Sequence, residues 1–439
     1  MKTEASTSQD ERITATWRVI IVCTLITLVG FNLRSVILAV PPVLPLIQHD
    51  LGLSYAATGL LTALPVLALA GGAWPSGLLA ERIGAWPCVS IGLVLVGAGT
   101  LLRAFWPTAF LLFLFTLLLS LGIVLTQATI PVLIHHWFPE HIGLVAALFS
   151  DGLIIGEAVA AGVTVPIMLQ FLGKDAWAST FILWSIPVFL LLALWLWLAP
   201  AAHTKVSRRP PLSLQGTTAS TTPQSSAQPT QRTRVSALHL GIMVGAGSLI
   251  YFGMNGWIAP YNQAIHHADI TPLALVILNA AQLPVSLAVT VIAQQIAGRR
   301  SPFIVAGAIC AVAISGWLFT PAALEPFWAA LLGGSAALVF TLGIALPPLL
   351  AGPHEVARLS GIVLSLTYGV AFVGPLLGGA LWDLFQLPSL AFLPVALASI
   401  LLIVLGSLLP SRGSFGLAPR TSRVGEKEPG TAMPTPPKA

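Results

Sequence analysis

Residues 109–134 read AFLLFLFTLLLSLGIVLTQATIPVLI, a stretch without one charged side chain. An α-helix needs about 20 apolar residues to cross about 30 Å of hydrocarbon. The stretch therefore predicts a membrane span. Runs of the same kind recur along the whole chain, separated by Pro, Gly and charge clusters. They predict spans at 17–40, 55–80, 86–104, 109–134, 142–170 and 177–199, then at 237–262, 271–297, 302–320, 326–350, 355–382 and 389–410. The expected fold is an all-α membrane protein of twelve transmembrane helices in two blocks of six.

Composition excludes the soluble classes. Hydrophobic residues make up 56% of the chain and charged residues 8%, against about 25% charged in a typical soluble domain. So few charges cannot keep the surface of a soluble protein of this size hydrated. The net charge of +5 does not imply nucleic acid, because the basic residues are scattered and form no basic face. Cys23, Cys88 and Cys310 each sit alone inside an apolar run, which suits small packing residues rather than disulfides or metal ligands. No cofactor is expected. The expected partners are a small-molecule substrate, protons and the lipid bilayer, with the chain as a monomer.

The chain divides at its polar stretches. Residues 1–16 read as a cytoplasmic tail, 17–199 and 237–410 as the two six-helix bundles, and 200–236 as the linker. The first span is too long for a signal-peptide core and lacks a cleavage pattern, so it reads as a retained helix. Ala202 to Arg234 is rich in Ser, Thr, Pro and Gln and cannot bury a core, which predicts a flexible connection. The tail 411–439 has similar composition and is expected to be disordered. With the N-terminus in the cytoplasm, seventeen of the twenty Lys and Arg residues fall on the cytoplasmic side, and only Arg34, Arg103 and Lys174 lie elsewhere. That bias sets the expected orientation, both termini inside, and supports a multi-pass plasma-membrane protein.

The two blocks look related. Leu121-Gly-Ile-Val-Leu125 in the fourth span recurs as Leu342-Gly-Ile-Ala-Leu346 in the tenth, and Pro139-Glu140-His141 as Pro353-His354-Glu355. Both offsets lie close to the separation of the first and seventh spans. Two parallel repeats of this kind place a substrate site between the halves near mid-membrane.

Gly77-Leu-Leu-Ala-Glu81-Arg82-Ile-Gly84, between the second and third spans, resembles the signature loop of the major facilitator superfamily. Glu81 stands there for the usual Asp. A finer resemblance is to the cyanate permease and nitroimidazole transporter branch. It rests on Asn32-Leu33-Arg34, Pro131, Phe138-Pro139, Tyr251, Trp257-Ile-Ala-Pro260, Leu359-Ser360-Gly361, Tyr368-Gly369, Gly374-Pro375 and Asp383. Ser35 replaces the Pro usual after the Arg, and His135-His136 replaces a basic pair. The resemblance implies a fold of two six-helix bundles, a cavity lined by the first span, and a cytoplasmic gate containing Glu81 and Arg82.

Charges inside a span cost roughly 2.5–3.5 kcal/mol each by insertion scales, so they face the protein interior or a watery path. Arg34, Asp151 and Glu157 lie well inside spans. Cys23, Thr27, Gly30 and Arg34 recur at helical spacing, a small and polar stripe down one face of the first span. Arg34 could hold an electron-rich substrate, since its planar fork of donors suits oxygen-bearing groups. It could equally be a structural or snorkelling cation. At 1.5 Å per residue, Arg34 stands about 25 Å along span one and Glu157 about 22 Å along span five, with Asp151 about 9 Å nearer the cytoplasm. Glu157 or Asp151 could carry a coupling proton, or Glu157 could only neutralise Arg34. Gly152, Gly156 and Ala160 mark a face for close helix packing.

Polar residues at helical spacing on other spans suggest further cavity lining. Gln127, Tyr251 and Asn255 are the expected substrate contacts beside Arg34. Asn279, Gln282, Ser286 and Thr290 form a softer stripe that also suits plain interhelical hydrogen bonding, about 0.6 kcal/mol each. His135, His136 and His141 lack an acidic partner cluster and read as solvated. The expected function is secondary active transport of a small solute, such as a small anion like cyanate or a nitroimidazole-like compound. Multidrug-type proton antiport is the alternative, and a non-transporting receptor or scaffold a third class. An ATP-driven pump is disfavoured by the absence of a phosphate-binding Gly-x-x-x-x-Gly-Lys-Ser/Thr loop. No catalytic set is found.

Overall fold

The computed structural model describes residues 2–105, 108–173, 176–200, 236–296, 299–350 and 356–409. All regular structure among them is helical. Twelve helices there are long and apolar enough to cross a membrane. Spans one to six are Val19–Leu51, Tyr55–Ala73, Ala85–Phe105, Ala109–Trp137, Ile142–Leu172 and Trp177–Leu198. Spans seven to twelve are Ala237–Ala264, Thr271–Val289, Ser301–Phe319, Ala322–Pro347, Arg358–Phe385 and Pro388–Leu408. Lys174, the linker Ala202 to Arg234, Pro353-His354-Glu355 and the tail 411–439 lie outside the described residues.

Three stretches depart from the expected boundaries. The first helix begins at Lys2, because residues 2–16 contain no Gly or Pro to stop it. Span one was expected to end at residue 40. Instead its helix breaks after Leu38 and a second helix, Val40–Leu51, completes it. Pro41 and Pro42 explain both facts. They deprive the Ile37 and Leu38 carbonyls of helical donors, yet they fit the first turn of a new helix, where the missing N–H is harmless. Span eight breaks at Ala281 between Thr271–Ala280 and Gln282–Ile296, where Pro284 removes the donor that the Ala280 carbonyl would need.

Each half has its own apolar core. Ile26, Leu33, Trp184 and Trp195 belong to the first, and Trp257, Phe303 and Phe392 to the second. The halves touch through span two on span eleven, span five on span eight, and the Val40–Leu51 piece of span one on span seven. Adding six to each span number turns the first contact into the second. That is the pattern expected of two repeats related by a twofold axis along the membrane normal.

The halves are closed at one end. There the Gly59 backbone meets the Pro375 carbonyl, and Gly379 meets the Tyr55 carbonyl. Tyr55 and Trp382 stack with centroids 4.0 Å apart and planes 9° from parallel. At the opposite end Gly71 and Gly77 on the span-two helix, and Gly361 and Gly369 on the span-eleven helix, face open space. The interior is therefore reached from the side of the loop between spans two and three.

Candidate functional site

Spans one and five approach backbone to backbone. A Cβ at Gly152 would collide with the Thr27 carbonyl, and one at Gly156 with the Phe31 carbonyl. Only residues without a side chain allow helices this close. The shared register continues one turn further and brings Arg34 to Glu157. Arg34 Nε lies 3.4 Å from Glu157 Oε1, and the side chains are 9% and 5% exposed.

Glu157 also reaches across to the other half. Its Oε2 accepts a hydrogen bond from Gln282 Nε2 at 2.9 Å. Gln282 is the first residue after the break in span eight, so the interruption caused by Pro284 sets the amide that meets this carboxylate. The Arg34 guanidinium stands 5.8 Å from the centroid of the Phe252 ring on span seven. Arg34, Glu157 and Gln282 thus link the two halves at one point.

This point lines a cavity of about 370 Å³ between the halves. Asp151, Tyr251, Phe252, Phe340 and Tyr368 share the lining, with Ser150, Ser248 and Ser286. Aromatic surface, one guanidinium and a few hydrogen-bonding groups suit a small, flat, polar solute.

The remaining expected residues fall in three places. Tyr251 lines the cavity, and its hydroxyl donates to Asn279 Oδ1 at 2.5 Å. Asn255 instead serves this network: Asn279 Nδ2 donates to Asn255 Oδ1 at 3.0 Å, and Asn255 Nδ2 donates to the Tyr251 carbonyl at 3.1 Å. Asn255 borders a separate, much smaller cavity. Gln127 is not among the residues lining the central cavity, and its Oε1 is buried without a hydrogen-bond partner. Glu81 and Arg82 are exposed at the far end of the span-two helix. Among the described residues no cluster of His, Cys, Asp and Glu could hold a metal ion.

Sequence reasoning missed several participants. Phe252 and Phe340 read as ordinary apolar residues, and Tyr368 entered only through resemblance. Gln282 was one member of a soft polar stripe. Glu325, at the start of span ten and just outside the expected span 326–350, is 2% exposed and accepts from Asn262 Nδ2 at 2.6 Å. The position of Asn262 on the same helical stripe as Tyr251 was the available signal.

With the geometry established, comparison with known proteins assigns the family. The model of the Major Facilitator Superfamily matches residues 20–367. The chain is 27% identical to the cyanate transport protein CynX of Escherichia coli (strain K12) over 79% of its own length and 85% of that protein's. It is also 27% identical to the 2-nitroimidazole transporter of Escherichia coli (strain K12), over 87% of this chain and 93% of the relative. Among solved structures it resembles a D-xylose-proton symporter, with a TM-score of 0.66, 13% identity, and coverage of 88% and 97%. The chain belongs to the Major Facilitator Superfamily.

Proposed function

We propose that this member of the superfamily is a secondary transporter for a small, flat heteroaromatic solute that bears polarised oxygens, of the nitroimidazole kind, working by alternating access in the plasma membrane. The observation that carries this reading is the Arg34–Glu157–Gln282 bridge inside an aromatic cavity. Arg34 presents donors to polarised oxygens, while Tyr251, Phe252, Phe340 and Tyr368 offer ring faces. A bare small anion fits less well. Glu157 balances Arg34, and Asp151 adds a further negative charge to the lining when ionised.

Protonating Glu157 would release Arg34 and favour an anion, which keeps a cyanate-like substrate as the second reading. The same chemistry makes Glu157 the candidate coupling acid, and Glu81 with Arg82 the candidate cytoplasmic gate. The Lys and Arg bias of the loops supports cytoplasmic termini, in which case the open end of this conformation faces inward. A single, monomeric chain suffices for the cavity described.

The test is a thermal-shift and flux comparison. Purified full-length protein is titrated with 2-nitroimidazole and with cyanate, then reconstituted into liposomes with and without a pH gradient. Ligand bound to the folded state raises the melting temperature in proportion to the logarithm of its concentration. A shift that keeps rising with the logarithm of 2-nitroimidazole concentration, together with a saturable flux, is expected, both lost in Arg34→Ala. A shift with cyanate alone would favour the second reading, and neither shift nor flux with any solute would favour a receptor or scaffold.

A further inference from the structure

The side-chain amide of Gln282 carries two donor hydrogens at one end and an acceptor oxygen at the other. Its neighbours decide which end points where. Nε2 lies 2.9 Å from Glu157 Oε2. Glu157 is paired with Arg34, and an ionised carboxylate only accepts hydrogen bonds. The nitrogen end must therefore face Glu157.

Tyr251 imposes the same orientation from span seven. Its hydroxyl faces both Gln282 and Glu157, but its single hydrogen goes to Asn279 Oδ1 at 2.5 Å. Asn279 cannot turn round to release it. Its Nδ2 donates to the Leu275 carbonyl at 2.8 Å and to Asn255 Oδ1 at 3.0 Å, and a backbone carbonyl never donates. Tyr251 thus offers Gln282 only lone pairs, which again call for the nitrogen end. Oε1 is left as the acceptor that Gln282, a partly exposed lining residue, brings to the central cavity.

The place of that acceptor is specific. Arg34 and Gln282 engage the two oxygens of one carboxylate, Arg34 Nε at Oε1 and Gln282 Nε2 at Oε2. The guanidinium and the amide therefore stand side by side, one carrying donors and the other ending in an acceptor. A flat ring with an oxygen-bearing group and an N–H on neighbouring atoms presents the complementary pair.

We infer that Gln282 Oε1 accepts a ring N–H of the transported solute while Arg34 holds the adjacent oxygen. Gln282 is then a specificity-determining residue, and Tyr251 and Asn279 position it. The assignment rests on the heteroaromatic reading of the cavity and narrows it. Rings with an N–H beside the oxygen group are accepted, and isosteres without that hydrogen leave the amide oxygen unpaired and are rejected.

The experiment compares 2-nitropyrrole with 2-nitrofuran, which share ring size and nitro group and differ by an N–H in place of an oxygen. Both are titrated calorimetrically into full-length protein at neutral pH, with 2-nitroimidazole as the reference. 2-Nitropyrrole is expected to bind at least about tenfold more tightly than 2-nitrofuran. Gln282→Met should remove that preference. Asn279→Leu, which frees the Tyr251 hydrogen to meet Gln282 Oε1, should narrow it, whereas a purely structural defect would weaken both ligands alike. Should Gln282→Met fail to fold, Gln282→Asn decides, because it keeps an amide but withdraws it by one methylene and should lose most of the preference. Equal affinities in wild type with 2-nitroimidazole still bound, or a preference undiminished in these variants, would overturn the inference and leave the transporter reading standing. Binding of none of the three compounds would sink that reading and the inference with it.

Discussion

The carboxylate of Asp383, at the end of span eleven, caps the helix that begins at Tyr55. Oδ1 accepts from the Tyr55 N–H at 2.9 Å, and Oδ2 from the Ala56 N–H at 2.7 Å. These are two of the four N–H groups that a helix start leaves without intrahelical partners. The negative charge also meets the positive end of the helix dipole. Because the two residues belong to opposite halves, this contact exists only while that end of the molecule is closed.

Asp383→Ala should therefore shift the population toward opening at that end. Loss of a capping oxygen costs about 0.5–2 kcal/mol, and one or two kcal/mol is a factor of roughly 5–30 in an equilibrium. Spin-label distances between the closed-end tips of spans two and eleven should gain a longer component. An unchanged distribution would show that the Tyr55–Trp382 stack and the glycine contacts hold the closure alone.

Arg34→Ala should abolish ligand-induced thermal shift and flux in protein that still inserts and stays monodisperse. Arg34→Lys should restore little, since a point charge does not reproduce the planar fork between Glu157 and the cavity. Normal flux in Arg34→Ala would assign the residue a purely structural role.

Glu157→Gln separates the two roles of the acid. Leaving a buried charge without its partner typically costs about 3–5 kcal/mol. If the pair is structural, the single variant loses stability and the double variant with Arg34→Gln recovers much of it, a coupling read from a double-mutant cycle. If Glu157 carries a proton, the single variant folds and exchanges substrate, but pH-driven accumulation disappears. Wild-type behaviour in both assays would move attention to Asp151.

Gly156→Leu tests the packing that creates the site. A side chain there collides with the Phe31 carbonyl, and overpacking costs typically about 1–3 kcal/mol. Spans one and five would separate, and Arg34 would lose Glu157. A lowered melting temperature with weakened ligand binding is expected, whereas Gly143→Leu, at an open position on the same helix, should change neither by much. Equal effects at both positions would dissociate the site from the helix contact.

The amino-acid sequence by itself determined the number and places of the spans, their grouping by six and the family. Hydrocarbon thickness converts directly into run length, without reference to any tertiary contact. It also put Arg34 and Glu157 at similar depth, because rise per residue is a local property, and the glycine register explains their meeting. The sequence did not reveal which polar faces meet. Helical spacing shows that Gln127, Asn255 and Gln282 lie on polar stripes, but the rotation of each helix decides what those stripes face. Gln127 ended outside the central cavity, Asn255 beside Arg103, and Gln282 on Glu157. Full burial of Arg103 and Glu325, both at span ends where charges usually reach water, likewise depends on neighbours distant in sequence. The closed end follows the same logic: Asp383 and Tyr55 are 328 positions apart, and only the docking of one half against the other makes the carboxylate a helix cap.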